Sequence, residues 1–226
     1  REAGVARETI GYASLIGLAY AFKWVWSPLL DQWRLPLLGR LGRRRSWLVL
    51  SQSLVILGLV GMGFCDPQKH LSWLIAIAVV VSFASATQDI AVDAYRLEIA
   101  EDSRQAALAA SYMSGYRVAA LLATAGALFF AEGFGSTGFN YKHSAWTGTY
   151  VLFGVLMVPA LLTTFFMREP PVPLRTQLSA GRYGFGHQLA SVFVLIVLLV
   201  SFPAMFTQLY NTDFASVLFG DQTPLD

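Results

Sequence analysis

Leu71-Ser72-Trp73-Leu74-Ile75-Ala76-Ile77-Ala78-Val79-Val80-Val81-Ser82-Phe83-Ala84-Ser85-Ala86-Thr87-Gln88-Asp89-Ile90-Ala91-Val92-Asp93-Ala94-Tyr95 is apolar almost throughout, and its ionisable acids are Asp89 and Asp93. Crossing the hydrocarbon core of a bilayer takes about 20 mainly apolar residues in a helix. A barrel strand would instead show ~10-residue segments of alternating polarity. The stretch therefore predicts a transmembrane helix. Five further apolar runs flank it, at residues 9–30, 47–65, 106–131, 145–167 and 188–210. Polar, Gly-rich or Pro-rich connections separate them, among them Asp66-Pro67, Gly133-Phe134-Gly135 and Pro170-Pro171-Val172-Pro173. The expected fold class is an all-α membrane protein, a bundle of transmembrane helices.

Composition agrees with that class. Of 226 residues 55% are hydrophobic and 13% charged, against roughly 25% charged in a soluble domain; too little polar surface remains to cover a water-soluble fold. A net charge of +2 gives no electrostatic footprint for nucleic acid. The single cysteine, Cys65, rules out an intramolecular disulfide and a cysteine metal site. His70, His143 and His187 share no ligand spacing, and no Ser, His and Asp set suggests a nucleophile. Neither a metal, a cofactor nor enzymatic chemistry is expected. Gly58, Gly61 and Gly63 lie inside an apolar run with no strand before them, which points to close helix packing rather than a nucleotide loop. Trp33, Trp47 and Trp146 fall at run ends, and with Trp26 they read as interfacial anchors.

Basic residues set the orientation. Arg34, Arg40, Arg43, Arg44, Arg45, Arg96, Arg104, Arg168, Arg175 and Arg182 fall on one side, against Arg1, Arg7, Lys69 and Lys142 on the other. By the positive-inside rule the 34–46 loop is expected in the cytoplasm and the tail after Tyr210 outside.

Lys23 and Arg117 remain, both inside apolar runs with Asp89 and Asp93. A charge left alone at the bilayer centre costs about 2.5–3.5 kcal/mol on insertion scales. With a rise of ~1.5 Å per residue, Lys23 lies about 12 Å, Asp89 about 10 Å and Arg117 about 15 Å from the cytoplasmic end of its run. Two cations and a carboxylate thus share one layer on three helices and are expected to converge on a cavity. The bland readings are that Lys23 snorkels to the interface and that the two acids merely end a helix. The latter runs against the macrodipole, which disfavours anions in a last turn. Runs 47–65 and 145–167 carry no ionisable acid or base and are expected to face lipid.

Lys23-Trp24-Val25-Trp26-Ser27-Pro28-Leu29-Leu30-Asp31, then Leu35-Pro36-Leu37-Leu38-Gly39-Arg40-Leu41-Gly42-Arg43-Arg44-Arg45-Ser46-Trp47, resembles the second helix and following loop of the major facilitator superfamily, in particular its AmpG-type muropeptide permeases. Ala86-Thr87-Gln88-Asp89-Ile90-Ala91-Val92-Asp93-Ala94-Tyr95-Arg96 resembles the fourth helix of the same family. The likeness covers roughly residues 9–169. It departs from the superfamily's loop signature at Ser27, where Gly is usual, and in a longer gap between Asp31 and the basic cluster.

This resemblance implies a partial major facilitator fold. Residues 1–168 would be the amino-terminal transporter half from helix two to helix six, without helix one. Residues 169–187 would be a cytoplasmic linker, and 188–226 an additional transmembrane helix with an outer tail, unless 188–210 is the family's seventh helix. A fold of this type needs two pseudo-symmetric halves, so the chain is expected to be part of a longer protein. The implied function is proton-driven import of anhydromuropeptides, disaccharide peptides of the cell wall, through a multi-pass protein of the inner membrane. Its partners would be that small molecule, protons and the lipid bilayer. Asp89 or Asp93 would carry the titrating carboxylate. Lys23 and Arg117 would hold the cargo's carboxylates or bear on that acid's proton, with Gln88, Tyr20 and Tyr95 as hydrogen-bonding neighbours. Asp31, Gly42 and Arg43 would form the conformational loop. The rival readings are a carrier of another cargo, such as acetyl-coenzyme A, and a membrane-embedded enzyme of cell-wall or lipid metabolism.

Overall fold

Hydrocarbon offers no water to a backbone N–H or C=O, so a spanning segment must satisfy its polar groups internally. The apolar runs between Trp47 and Met167 do so as long helices. The computed structural model describes residues 14–32, 35, 38–171, 193 and 197. Its α-helices are α1 (Leu18–Ala21), α2 (Ser27–Gln32), α3 (Arg43–Phe64), α4 (Leu71–Ile99), α5 (Asp102–Leu121), α6 (Ala127–Gly133) and α7 (His143–Phe166). A π-helical segment, Leu122–Gly126, joins α5 to α6 in one rod. Four helical stretches among the described residues are long and apolar enough to cross a membrane: α3, α4, α5 with α6, and α7. The fold is an all-α transmembrane bundle. Most of the expected extra helix at 188–210 and of the linker at 169–187 lies outside the described residues, as do Trp33 and Arg34.

The first apolar run departs from expectation. Its described part is not one helix but a 3-10 turn Ser14–Gly17, α1, a second 3-10 turn Lys23–Val25, and α2. Pro28 is the local cause: it has no N–H to give to the carbonyl four residues back, and its ring crowds that carbonyl. The carbonyl belongs to Trp24, and the hydroxyl of Ser27 donates to it instead at 3.2 Å.

The packing also corrects one expectation. α3 carries α4 along one flank and α7 along another, and it keeps Leu54, Leu57 and Phe64 exposed. Its glycines allow the approach. A Cβ built on Gly58 would stand 2.2 Å from Val81 Cγ2 of α4, so the Val81 side chain fills the space that a side chain at Gly58 would need. Trp26 and Trp47, read as interfacial anchors, are both 3% exposed and belong to the core with Leu29, Leu30, Leu48, Val79, Phe83 and Ala86. The ring of Trp26 packs 5.1 Å from that of Phe83, and its indole N–H donates to Thr87 Oγ1 at 3.2 Å. An indole with its donor satisfied by a neighbouring helix belongs in a core as well as at an interface. By contrast α5 buries none of its residues.

Candidate functional site

The kinked first run and the uninterrupted α4 bring the intramembrane charges together. Ser85, Asp89 and Asp93 recur every four residues and so line one face of α4. The Lys23–Val25 turn sets the Lys23 ammonium on Asp89 Oδ2 as a hydrogen-bonded ion pair, half-buried between the two elements. The hydroxyl of Tyr112, on α5, donates to the other oxygen, Asp89 Oδ1, at 2.5 Å. One turn earlier on α4, Ser85 Oγ and the hydroxyl of Tyr20 share a hydrogen bond of 2.5 Å. One turn later, Asp93 pairs with Arg96 at 3.4 Å, and the Arg96 guanidinium lies over the Tyr112 ring, 5.3 Å from its centroid. The arrangement runs from Lys23 through Asp89, Tyr112 and Arg96 to Asp93. A carboxylate held by an ammonium and a phenol from two separate elements loses a partner whenever either element moves.

Three expected members stand elsewhere. Arg117 is exposed and joins no ion pair among the described residues. The reason is angular: five residues at about 100° each place it roughly 140° around α5 from Tyr112, so when Tyr112 faces Asp89, Arg117 faces away. Gln88 is half-buried and makes no hydrogen bond among the described residues; it sits one position, about 100°, off the Asp89 face. Tyr95 is beyond reach of Asp89 and donates instead to the Arg168 carbonyl at 3.0 Å.

Tyr95 belongs to a second cluster, at the arginine-rich end. Arg43 and Arg44, each 4% exposed at the side chain, converge on Glu98 of α4. Arg43 Nη2 donates to both Glu98 oxygens at 2.9 Å, and Arg44 Nη2 donates to Oε1 at 2.5 Å. Arg44 also pairs with Asp31 at 2.7 Å, while Arg43 donates to the Asp31 carbonyl at 3.0 Å. Two guanidiniums between two carboxylates balance the buried charge. Glu169, three residues past α7, caps α3 from outside: its carboxylate accepts from the N–H groups of Arg44 at 2.7 Å and Arg45 at 3.1 Å. Arg45 returns the favour, donating from Nε to the Thr164 carbonyl at 3.1 Å and from Nη2 to the Phe165 carbonyl at the end of α7. Each helix end thus satisfies the orphan groups of the other.

Reading the sequence missed Tyr112, Ser85, Glu98, Arg44 and Glu169 as members of these clusters. Glu98 carried a signal. An arginine-rich loop on the side where α4 ends calls for an acid, and Glu98, Glu101 and Asp102 all lie at that end. Tyr112 carried none, since a tyrosine in an apolar helix has many unremarkable readings.

The sequence profile described as Major Facilitator Superfamily matches residues 2–222. The chain is 35% identical over 214 residues to the anhydromuropeptide permease of Escherichia coli K12, an alignment covering 92% of this chain and 41% of that protein. It is 34% identical over 169 residues to a Rickettsia felis protein named "Putative transporter AmpG 4", covering 75% of this chain and 39% of that one. The chain thus spans about two fifths of the length of these curated relatives.

Proposed function

We propose that this chain, which belongs to the Major Facilitator Superfamily as an AmpG-type member, forms part of a proton-driven secondary transporter that imports anhydromuropeptides. The relative named as an anhydromuropeptide permease supports the cargo. The ion pair of Lys23 with Asp89 inside the helical bundle supports the mechanism, because intramembrane acids and bases mark ion and substrate pathways by default. The membrane is the inner membrane, and the loop holding Arg40, Arg43, Arg44 and Arg45 faces the cytoplasm, the side on which basic residues accumulate.

On this reading Asp89 is the coupling carboxylate and Asp93 its neighbour toward the cytoplasm. Import of a carboxylate-bearing cargo calls Lys23 away from Asp89, and a proton replaces the ammonium as the charge that Asp89 needs in a dry environment. Tyr20, bonded to Ser85 one turn from Asp89, lines the approach. Asp31, Gly42 and Arg43, with Arg44, Glu98 and Glu169, hold the cytoplasmic end while the bundle changes shape.

The test uses the complete transporter in membrane vesicles. Asp89→Asn is expected to abolish accumulation of anhydromuropeptide driven by a proton gradient while leaving exchange across the membrane. Accumulation at the wild-type level under the same gradient would overturn the coupling role of Asp89. Loss of accumulation in Asp93→Asn alone would move that role one turn toward the cytoplasm.

A further inference from the structure

α5 is the most loosely held of the long helices, with no buried residue among its twenty. Its polar attachments to α4 lie on one face. Gln105 donates to the Ala100 carbonyl at 3.0 Å, where α4 has just ended. Two turns on, Tyr112 donates to Asp89 and stacks beneath Arg96. The spacing of seven residues keeps both on the same side of the helix. Of the two, only Tyr112 reaches the charged site, and it does so with both of its chemical ends. The hydroxyl binds the carboxylate that Lys23 also holds, and the ring carries the guanidinium that Asp93 holds.

We propose that Tyr112 is the positioning residue of this site: it fixes Asp89 Oδ1 from α5 while Lys23 fixes Oδ2, and through Arg96 it makes the two acids of α4 answer to one movement of α5. The proposal rests on the reading of Asp89 as the coupling carboxylate. A bond from a phenol to a carboxylate belongs to the stronger, charge-assisted class. The weakly packed α5 is therefore held in place by the same carboxylate that cargo and proton would act on, and releasing Asp89 releases the helix.

Two measurements on the complete transporter test this, with Tyr112→Phe as the variant because it keeps the ring under Arg96 and removes only the hydroxyl. In the first, without any cargo, spin labels replace the exposed Leu97 of α4 and Met113 of α5 in a Cys65→Ser background. The distance distribution is expected to broaden in Tyr112→Phe; an unchanged distribution overturns the proposal. In the second, exchange of anhydromuropeptide in proteoliposomes is expected to slow about tenfold with KM within about twofold, the size of one lost hydrogen bond to a charged group. In an Asp89→Asn background, whose amide is the weaker acceptor, the same change is expected to cost less than about threefold. A tenfold rise in KM at unchanged turnover would make Tyr112 a cargo contact, and an equal cost in both backgrounds would mean that it acts apart from Asp89; either overturns the proposal. Failure of the coupling reading shows itself separately, as wild-type accumulation by Asp89→Asn. If the wild type does not carry this cargo, the distance measurement alone decides the role of Tyr112.

Discussion

The carboxylate of Glu169 occupies the space that a side chain at Gly42 would need: a Cβ built there falls 2.5 Å from Glu169 Cδ. Gly42 also holds φ at +115°, a conformation that side chains disfavour. As the residue before α3 it offers no side chain to cap the helix, and Glu169 supplies the cap in its place. Gly42 and Glu169 are thus one device, in which the absence of a Cβ makes room for a carboxylate from just past α7.

Gly42→Ala is therefore expected to destabilise the bundle by about 1–3 kcal/mol from backbone strain, with the loss of the cap added, because Glu169 must swing aside. Unfolding in mixed micelles measures the total. Glu169→Ala alone removes the cap, for about 0.5–2 kcal/mol. In the double variant the clash disappears and the strain stays. A double variant as stable as Glu169→Ala would show that the φ of Gly42 carries no cost.

The two acids of the arginine cluster are expected to differ sharply. Glu98 is 10% exposed and faces two buried guanidiniums, while Asp31 is 48% exposed. Removing one partner from a buried pair costs about 3–5 kcal/mol, because the other charge is left uncompensated; an exposed pair contributes about 0–1 kcal/mol. Glu98→Gln should lower the thermal midpoint of the purified protein far more than Asp31→Asn does. Equal shifts would mean that the cluster is wet.

Orientation is open to a labelling test at Arg40, which is exposed, whereas Arg44 is buried and unsuitable. With Cys65→Ser in place, Arg40→Cys should resist an impermeant thiol reagent in intact cells and react once the membrane is permeabilised. Ready labelling in intact cells would invert the topology.

Residues 71–95 announced their helix in advance because the signal is local: a bilayer demands unbroken apolar length, and length is written along the chain. The same logic marked Lys23 and Asp89, since a charge in an apolar run needs a partner wherever the chain goes. The first run departs from a single helix because Pro28 and Ser27 divide it, a local break that apolar length does not record. Trp26 and Trp47 misled for another reason. Position in a run says how deep a residue lies but not which way it faces.

Apolar length came from the sequence by itself, and with it the membrane class and the presence of charges inside the apolar runs. Which charge meets which was decided only by the tertiary structure. Arg117 and Tyr112 lie five residues apart on one helix, and helical rotation turns the tyrosine to Asp89 and the arginine away. Glu169 is separated from Arg44 by 125 residues, and no local pattern foretells that its carboxylate caps that helix. Burial against lipid is a one-dimensional constraint that a sequence records directly. Pairing between helices depends on their rotation and packing, which arise only when all of them are in place.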